Sequence, residues 1–368
     1  MQRDPCRLIC LQLLITERRR KMSVVKSDFG KTKSGEAISL YTIDNGKMKA
    51  SVTDFGANVV NLFVPNDKGE VKDIVHGFDK VEDYFENPCF FGACIGRSAN
   101  RIANAKFSID GTEYALKVND NENNLHSDAD NGFHKKLWKA EIVDAENKVV
   151  FSYHSPDMEN GFPGNMYVKV SYSLSDDCGF KIEYEALSDK KTLFNPTNHS
   201  YFNLAGHDAS SDKVYETVLK LNASNYTPVV AGAIPTGEIA PVANTVFDFT
   251  KGKKIGDEID ADIEQLKLVG GYDHNFSIDG YDKTMREAAC ASCDGRTMTV
   301  LTDLPGIQFY AGNMISPLTG KGGVKYAKRT AFCLETQFYP NSINEEGFLS
   351  PVIEADKPYK TTTIYKFS

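Results

Sequence analysis

Val168-Lys169-Val170-Ser171-Tyr172-Ser173-Leu174, followed after a short break by Phe180-Lys181-Ile182-Glu183-Tyr184-Glu185-Ala186, decides the fold class. Val168, Val170, Tyr172 and Leu174 alternate with Lys169, Ser171 and Ser173; Phe180, Ile182, Tyr184 and Ala186 alternate with Lys181, Glu183 and Glu185. A period of two puts each apolar set on one face of an extended chain, the pattern of half-buried antiparallel strands. That period dominates from Lys47 onward. Asn45-Gly46, Asp110-Gly111 and Asp294-Gly295 fall between strand-like runs, where glycine supplies the positive φ that tight hairpins need. Amphipathic helical patterns are few, and neither a Pro/Gly/Ser-rich linker nor an internal repeat divides the chain. The reading is all-β: one large antiparallel β-sandwich with few short helices, filling residues 22–368 as a single domain.

Residues 1–21 read differently, with the short apolar run Leu8-Ile9-Cys10-Leu11-Gln12-Leu13-Leu14-Ile15 followed by Glu17-Arg18-Arg19-Arg20-Lys21. The run is too short to span a bilayer and lacks the small-residue cleavage pattern of a secretory signal. It is expected to be a disordered extension, with a mitochondrial leader as the alternative and Met22 as a candidate start.

A net charge of −8, with lysines scattered rather than clustered, gives no electrostatic reason to expect nucleic acid, and nothing else in the chain approaches a membrane span. The eight cysteines are spread without a disulfide framework and are expected to be reduced thiols. Cys290-Ala291-Ser292-Cys293 has half the spacing of a zinc site, but no second pair answers it.

Polar residues then interrupt strands that otherwise look like core. In Asn195-Pro196-Thr197-Asn198-His199-Ser200-Tyr201-Phe202-Asn203, extension would set His199, Tyr201 and Asn203 on one face. In Phe332-Cys333-Leu334-Glu335-Thr336-Gln337-Phe338 the same rule groups Cys333, Glu335 and Gln337. A histidine and a carboxylate on neighbouring strands make a general acid/base pair. Asp273 and Asn275 alternate with Tyr272, His274 and Phe276, so the polar pair either caps a turn or emerges opposite an aromatic face. Gln308 and Tyr310 share one face of Pro305-Gly306-Ile307-Gln308-Phe309-Tyr310, where a buried amide needs a partner. Gly96-Arg97-Ser98-Ala99-Asn100-Arg101-Ile102 carries two arginines without a phosphate-loop pattern, which by itself also suits a structural arginine. His126, in the polar turn Asn123-Asn124-Leu125-His126-Ser127-Asp128, taken alone suits a structural histidine. Together these residues make a shell for a small ligand covered in hydroxyls, because amides and carboxylates read vicinal diols while rings cover a sugar face. That points to a monosaccharide. Metal is the competing reading, through His126, His199, His274 and Glu335, but no two histidines fall at common metal-site spacings.

The six motifs around Asn100–Arg101, His126, His199–Tyr201, Asp273, Gln308 and Glu335, in this order, make the chain resemble the aldose 1-epimerase (galactose mutarotase) family from about Phe29 to the C-terminus. The resemblance implies a sugar cleft on one sheet, Glu335 as general base and His199 as general acid, and His126 near the ring oxygen. It further implies that Asn100, Arg101, Asp273 and Gln308 hold hydroxyls and that Tyr201 lines the site. Ser127-Asp128 and His134 depart from the family pattern after the histidine, which leaves the loop and the substrate preference open.

The expected reaction needs no cofactor and no metal: Glu335 as carboxylate takes the C1 hydroxyl proton, protonated His199 donates to the ring oxygen, and the hemiacetal opens and recloses on the other carbonyl face. Rival readings are a non-catalytic sugar-binding protein, a sugar-phosphate epimerase, and a glycosidase using Glu335 with Asp273. The expected partner is a free monosaccharide, bound by a monomer or weak dimer. Asn198-His199-Ser200 is a glycosylation sequon overlapping the acid, as is Asn222-Ala223-Ser224 elsewhere, which favours the cytoplasm.

Overall fold

The computed structural model describes residues 23–368. The expectations for residues 1–21 and for Met22 therefore lie outside the described residues. The two stretches with the cleanest alternation form the strands Met166–Leu174 and Gly179–Ser188, paired antiparallel with Val168 opposite Ala186 and Tyr172 opposite Ile182. They sit near the middle of a nine-stranded antiparallel sheet that also takes in the C-terminal strand Tyr359–Phe367 and the hairpin Arg286–Cys293/Arg296–Thr302. The three hairpin turns fall where the glycines place them. Asp110 and Gly111, and Asp294 and Gly295, both take positive φ, and Asn45 caps its turn through Oδ1, which accepts from the Lys47 and Met48 amides.

A second, five-stranded antiparallel sheet contains Asn225–Tyr226, Asp273–Ser277, Gly306–Tyr310 and Cys333–Gln337. Its back face packs against the long sheet: Phe276, Ile307, Phe309 and Leu334 join one core cluster with Val170, Tyr172, Ile182 and Tyr365. The Tyr365 hydroxyl donates to the Leu334 carbonyl at 2.8 Å, which ties the two layers together. This is the β-sandwich that the period of two predicts. A third, N-terminal sheet of five strands, Ser23–Lys31 through Val71–Asp73, flanks it. The α-helices among the described residues are three single-turn pieces, Val81–Glu86, Ser211–Glu216 and Glu264–Val269. None is long and apolar enough to cross a membrane.

Candidate active site

Alternation decides what the second sheet offers to its front face. With Phe276, Ile307, Phe309 and Leu334 in the core, Asp273, Gln308, Tyr310, Cys333 and Glu335 must point the other way. His274 goes inward, fully buried between Tyr226 and Phe247. It is a core histidine, removed from the site.

The short strand Thr197–His199 pairs with Ala93–Ile95 and lies against the Glu335 strand, where the Thr197 hydroxyl donates to the Thr336 carbonyl at 2.9 Å. His199 thereby comes within 3.6 Å of Glu335, Nε2 to Oε1. Regular pairing ends at His199, but Tyr201 still faces the same cavity and stacks on the His199 ring at 4.9 Å. Asn203 does not join them. After Phe202 bridges to Phe332 the chain turns, and Asn203 is held by the turn, donating to the Thr330 carbonyl and accepting from the Ala205 amide. The expectation of one continuous polar stripe is corrected at that residue.

The Gly96–Ile102 motif divides its arginines. Arg97 is buried and donates to Ser155 and to the carbonyls of Pro163 and Gly164, so it is structural. Arg101 reaches the cavity with Nε at 2.7 Å from Asp120 and Nη1 at 4.0 Å from Asp273. Asn100, at a positive φ that asparagine tolerates, exchanges two hydrogen bonds with His126: its N–H donates to Nδ1 at 3.1 Å, and its carbonyl accepts the His126 N–H at 3.0 Å. An acceptor at Nδ1 leaves the His126 proton on Nε2, the donor available to a ligand. Ser127 follows at φ +68° and closes on Ser98, accepting its N–H at 2.8 Å and donating to its carbonyl at 2.9 Å. Asp128 caps the Asp130 and Asn131 amides, and His134 packs behind Phe90. The departures from the family pattern thus stand behind the wall that carries His126.

Asn100, Arg101, His126, His199, Tyr201, Asp273 and Glu335 line one cavity of about 150 Å³. Gln308 does not reach this wall; its Nε2 donates to Asp273 Oδ1 at 2.7 Å from the next strand. Pro88, Cys89, Phe90, Leu125, Tyr310 and Met314 complete the lining. Of these, the sequence signalled only Tyr310. Phe90, at φ +58°, touches both His126 and His199, a placement that no local pattern carries.

Burial sets the electrostatics. It lowers His199 to about 3 and raises the Glu335 carboxyl well above its ordinary range, with Asp273 raising it further and Arg101 opposing. Asp273 is itself raised by burial, against the pull of Arg101 and Gln308. Cys333 Sγ lies 3.5 Å from His199 Nδ1, and its thiol is also pushed up by burial. His199, Cys333 and Glu335 are close enough to hold a metal ion, but Cys333 meets Nδ1 and Glu335 meets Nε2, so the two contacts fall on different ring nitrogens.

An antiparallel sandwich whose front face holds a carboxyl and an imidazole 3.6 Å apart, in a cavity lined by amide, guanidinium and carboxyl side chains, is the arrangement of an enzyme that acts on small hydroxylated ligands. Residues 39–366 match the family described as Aldose 1-epimerase. The chain is 37% identical over 353 residues to galactose mutarotase from Sus scrofa, covering 94% of this chain and 99% of that one. It is 34% identical to aldose 1-epimerase from Escherichia coli K12, covering 90% and 96%. The crystal structure of galactose 1-epimerase from Lactobacillus acidophilus NCFM superposes with a TM-score of 0.82 at 28% identity, covering 95% and 99%. The chain belongs to the aldose 1-epimerase family.

Proposed function

We propose that this chain is an isomerase that interconverts the α and β anomers of free hexoses such as D-galactose and D-glucose. The observation that carries the reading is the His199–Glu335 contact at 3.6 Å inside a cavity that Asn100, Arg101, His126 and Asp273 also line. Glu335 is the general base and His199 the general acid. Glu335 takes the proton of the C1 hydroxyl while His199 Nε2 gives one to the ring oxygen; the C1–O5 bond breaks and the aldehyde forms. Rotation about C1–C2 and the reverse transfers deliver the other anomer. Opening converts imidazolium and carboxylate into imidazole and carboxylic acid, the uncharged pair that burial favours. Burial therefore makes the Glu335 carboxylate a stronger base and the His199 imidazolium a stronger acid, the directions both transfers need. His199 Nδ1 lies against Cys333 Sγ and Nε2 against Glu335, so Nε2 is the nitrogen placed to exchange protons with Glu335 and substrate.

His126 Nε2–H, Asn100, Arg101 and Asp273 hold hydroxyls, Tyr201 covers the His199 ring, and Gln308 fixes Asp273. Arg101 already lies between Asp120 and Asp273, so no cation is left for a phosphate, which supports a neutral sugar. The reaction proceeds on protein groups alone, within residues 22–368 as one domain. Asn198 is buried, with its amide donating to the Gly92 carbonyl, so a glycan there would be incompatible with this fold. A cytoplasmic setting, in which neither sequon is used, is the location we propose.

Polarimetry tests the proposal. Purified protein added to freshly dissolved α-D-galactose is expected to speed the approach to anomeric equilibrium, and Glu335→Gln to slow it by about 10²–10⁴-fold while still binding sugar. Wild-type-like mutarotation by that variant, or a spontaneous rate with folded wild type, would remove the assignment.

A further inference from the structure

Beside the cavity, the same sheet face carries six buried polar atoms without a protein partner: Asn275 Nδ2 and Oδ1, Gln308 Oε1, Glu335 Oε2, and Gln337 Nε2 and Oε1. Their residues are at most 3% exposed. Asn275 stands opposite Gln308, Gln308 opposite Glu335, and Gln337 follows Glu335 on the same face, opposite Gly306. Gly306 is what admits the Asn275 amide: a Cβ there would lie 2.5 Å from Asn275 Oδ1 and 2.8 Å from the Tyr339 ring. The patch is therefore contiguous and built around side chains of fixed place.

A buried polar group left without a partner forfeits its hydration with nothing in return, so adjacent donors and acceptors of this kind are read as one network. The inventory is complementary. Gln308 Nε2 has one of its two N–H groups on Asp273, so the amide nitrogens with both N–H groups unpartnered are those of Gln337 and Asn275. Two amide nitrogens face four oxygens, each nitrogen with a pair of hydrogens, and among those oxygens the Glu335 carboxylate is the strongest acceptor. Residues two apart on a strand face lie about 6.5–7 Å apart at Cα, which a glutamine spans to a glutamate with one side-chain rotation or one buried water.

We infer that Gln337 is a positioning residue for the reaction: its Nε2–H donates to Glu335 Oε2, directly or through one buried water, while Asn275 closes on the Gln308 and Gln337 oxygens. The carboxylate is then held by its rear oxygen, and Oε1 is left to face His199 and the substrate. The inference rests on the reading of Glu335 as base. The other ionisable groups around Glu335 are Asp273 and Cys333 on the same sheet face, with Tyr310 in the same cavity lining, Arg101 from the Gly96–Ile102 motif, His199 and Tyr201 from the neighbouring segment, and Tyr365 from the core. Gln337 adds no charge to this set; it supplies an N–H on the rear oxygen.

The experiment compares wild type, Gln337→Met and Gln337→Glu by the pH dependence of kcat and KM for α-D-galactose, with thermal unfolding of each. Wild-type turnover establishes the reaction independently of Gln337. Gln337→Met, which keeps volume and removes the donor, is expected to lower kcat about tenfold with KM within twofold, and to move the alkaline midpoint up by about one pH unit, because a carboxylate without its donor holds its proton longer. Gln337→Glu keeps the shape and sets a second buried carboxyl against the base, so the pair shares a proton and the alkaline midpoint is expected to rise by more than in Gln337→Met. If Gln337→Met does not fold, Gln337→Glu decides. Unmoved midpoints in a folded variant, whatever the rate, would show a merely structural amide and overturn the inference.

Discussion

Taking the His199 imidazole out of water lowers its proton affinity to a value near 3, because the charged ring loses its hydration, and the same burial raises the Glu335 carboxyl. A pair in contact under these conditions titrates as a unit and holds a single proton over a wide range. A second proton is taken up only well below the ordinary imidazole value of 6.5, and the last leaves only well above the ordinary carboxyl value of 4.5. A bell-shaped pH dependence of kcat/KM is expected, with its acid midpoint below pH 6.5. An acid midpoint at or above that value, after correction for buffer catalysis, would sink the single-proton scheme. The identities of both partners, and the faces they occupy, were legible from alternation in Thr197–His199 and Cys333–Gln337. The low proton affinity of His199 was not, because it arises from what the rest of the chain packs over it.

Each strand of the second sheet works on both faces, and the two duties are separable. Leu334 and Thr336 face the core while Cys333, Glu335 and Gln337 share the opposite face, where Glu335 lines the cavity, and the Tyr365 hydroxyl grips the Leu334 carbonyl from the long sheet. Leu334→Ala empties part of a packed layer and is expected to cost about 2–5 kcal/mol of stability. Well below its unfolding midpoint, kcat should stay within a few-fold of wild type, since the backbone pairing that aims Glu335 is retained. Urea titration with activity measured alongside checks this; a loss under about 1 kcal/mol would show that the site sheet is not anchored through its core face. At this scale the strand readings carried over with their hairpin turns, and Asn203 marks their limit. The end of regular pairing at His199 and the turn after Phe202 depend on contacts with Phe332 and Thr330, far away in sequence.

Across the molecule, burial of neutral histidines ties stability to pH. His134, His199 and His274 are each lowered by burial to about 3. Their folded values lie below the unfolded value, so the unfolded chain binds more protons between the two, and stability rises with pH across that window. Each contributes up to about 1.4 kcal/mol per pH unit there, complete above the ordinary value and lost as pH falls. The raised carboxyls of Glu335 and Asp273 act oppositely, since their folded values exceed the unfolded ones. The histidines outnumber them, so the unfolding free energy is expected to drop as pH goes from 7 towards 4, with net proton uptake on unfolding. Denaturant midpoints measured across that range check it, and a flat profile would show that these rings are hydrated.

The sequence by itself determined the all-β class, the hairpin turns and the faces of the site strands, because a period of two and the positive-φ demand of a turn are local properties of a chain. It also supplied the chemistry of the ligand, since six polar motifs in core-like strands have to meet something rich in hydroxyls. Tertiary structure alone decided which of two neighbouring arginines reaches the cavity, that Asn203 leaves the stripe, that Phe90 covers both histidines, and that Gln308 acts through Asp273. The physical reason is the same in each case: these outcomes are set by side chains brought together from distant parts of the chain, and only the closed sandwich fixes which of them are neighbours and how far water is kept from them.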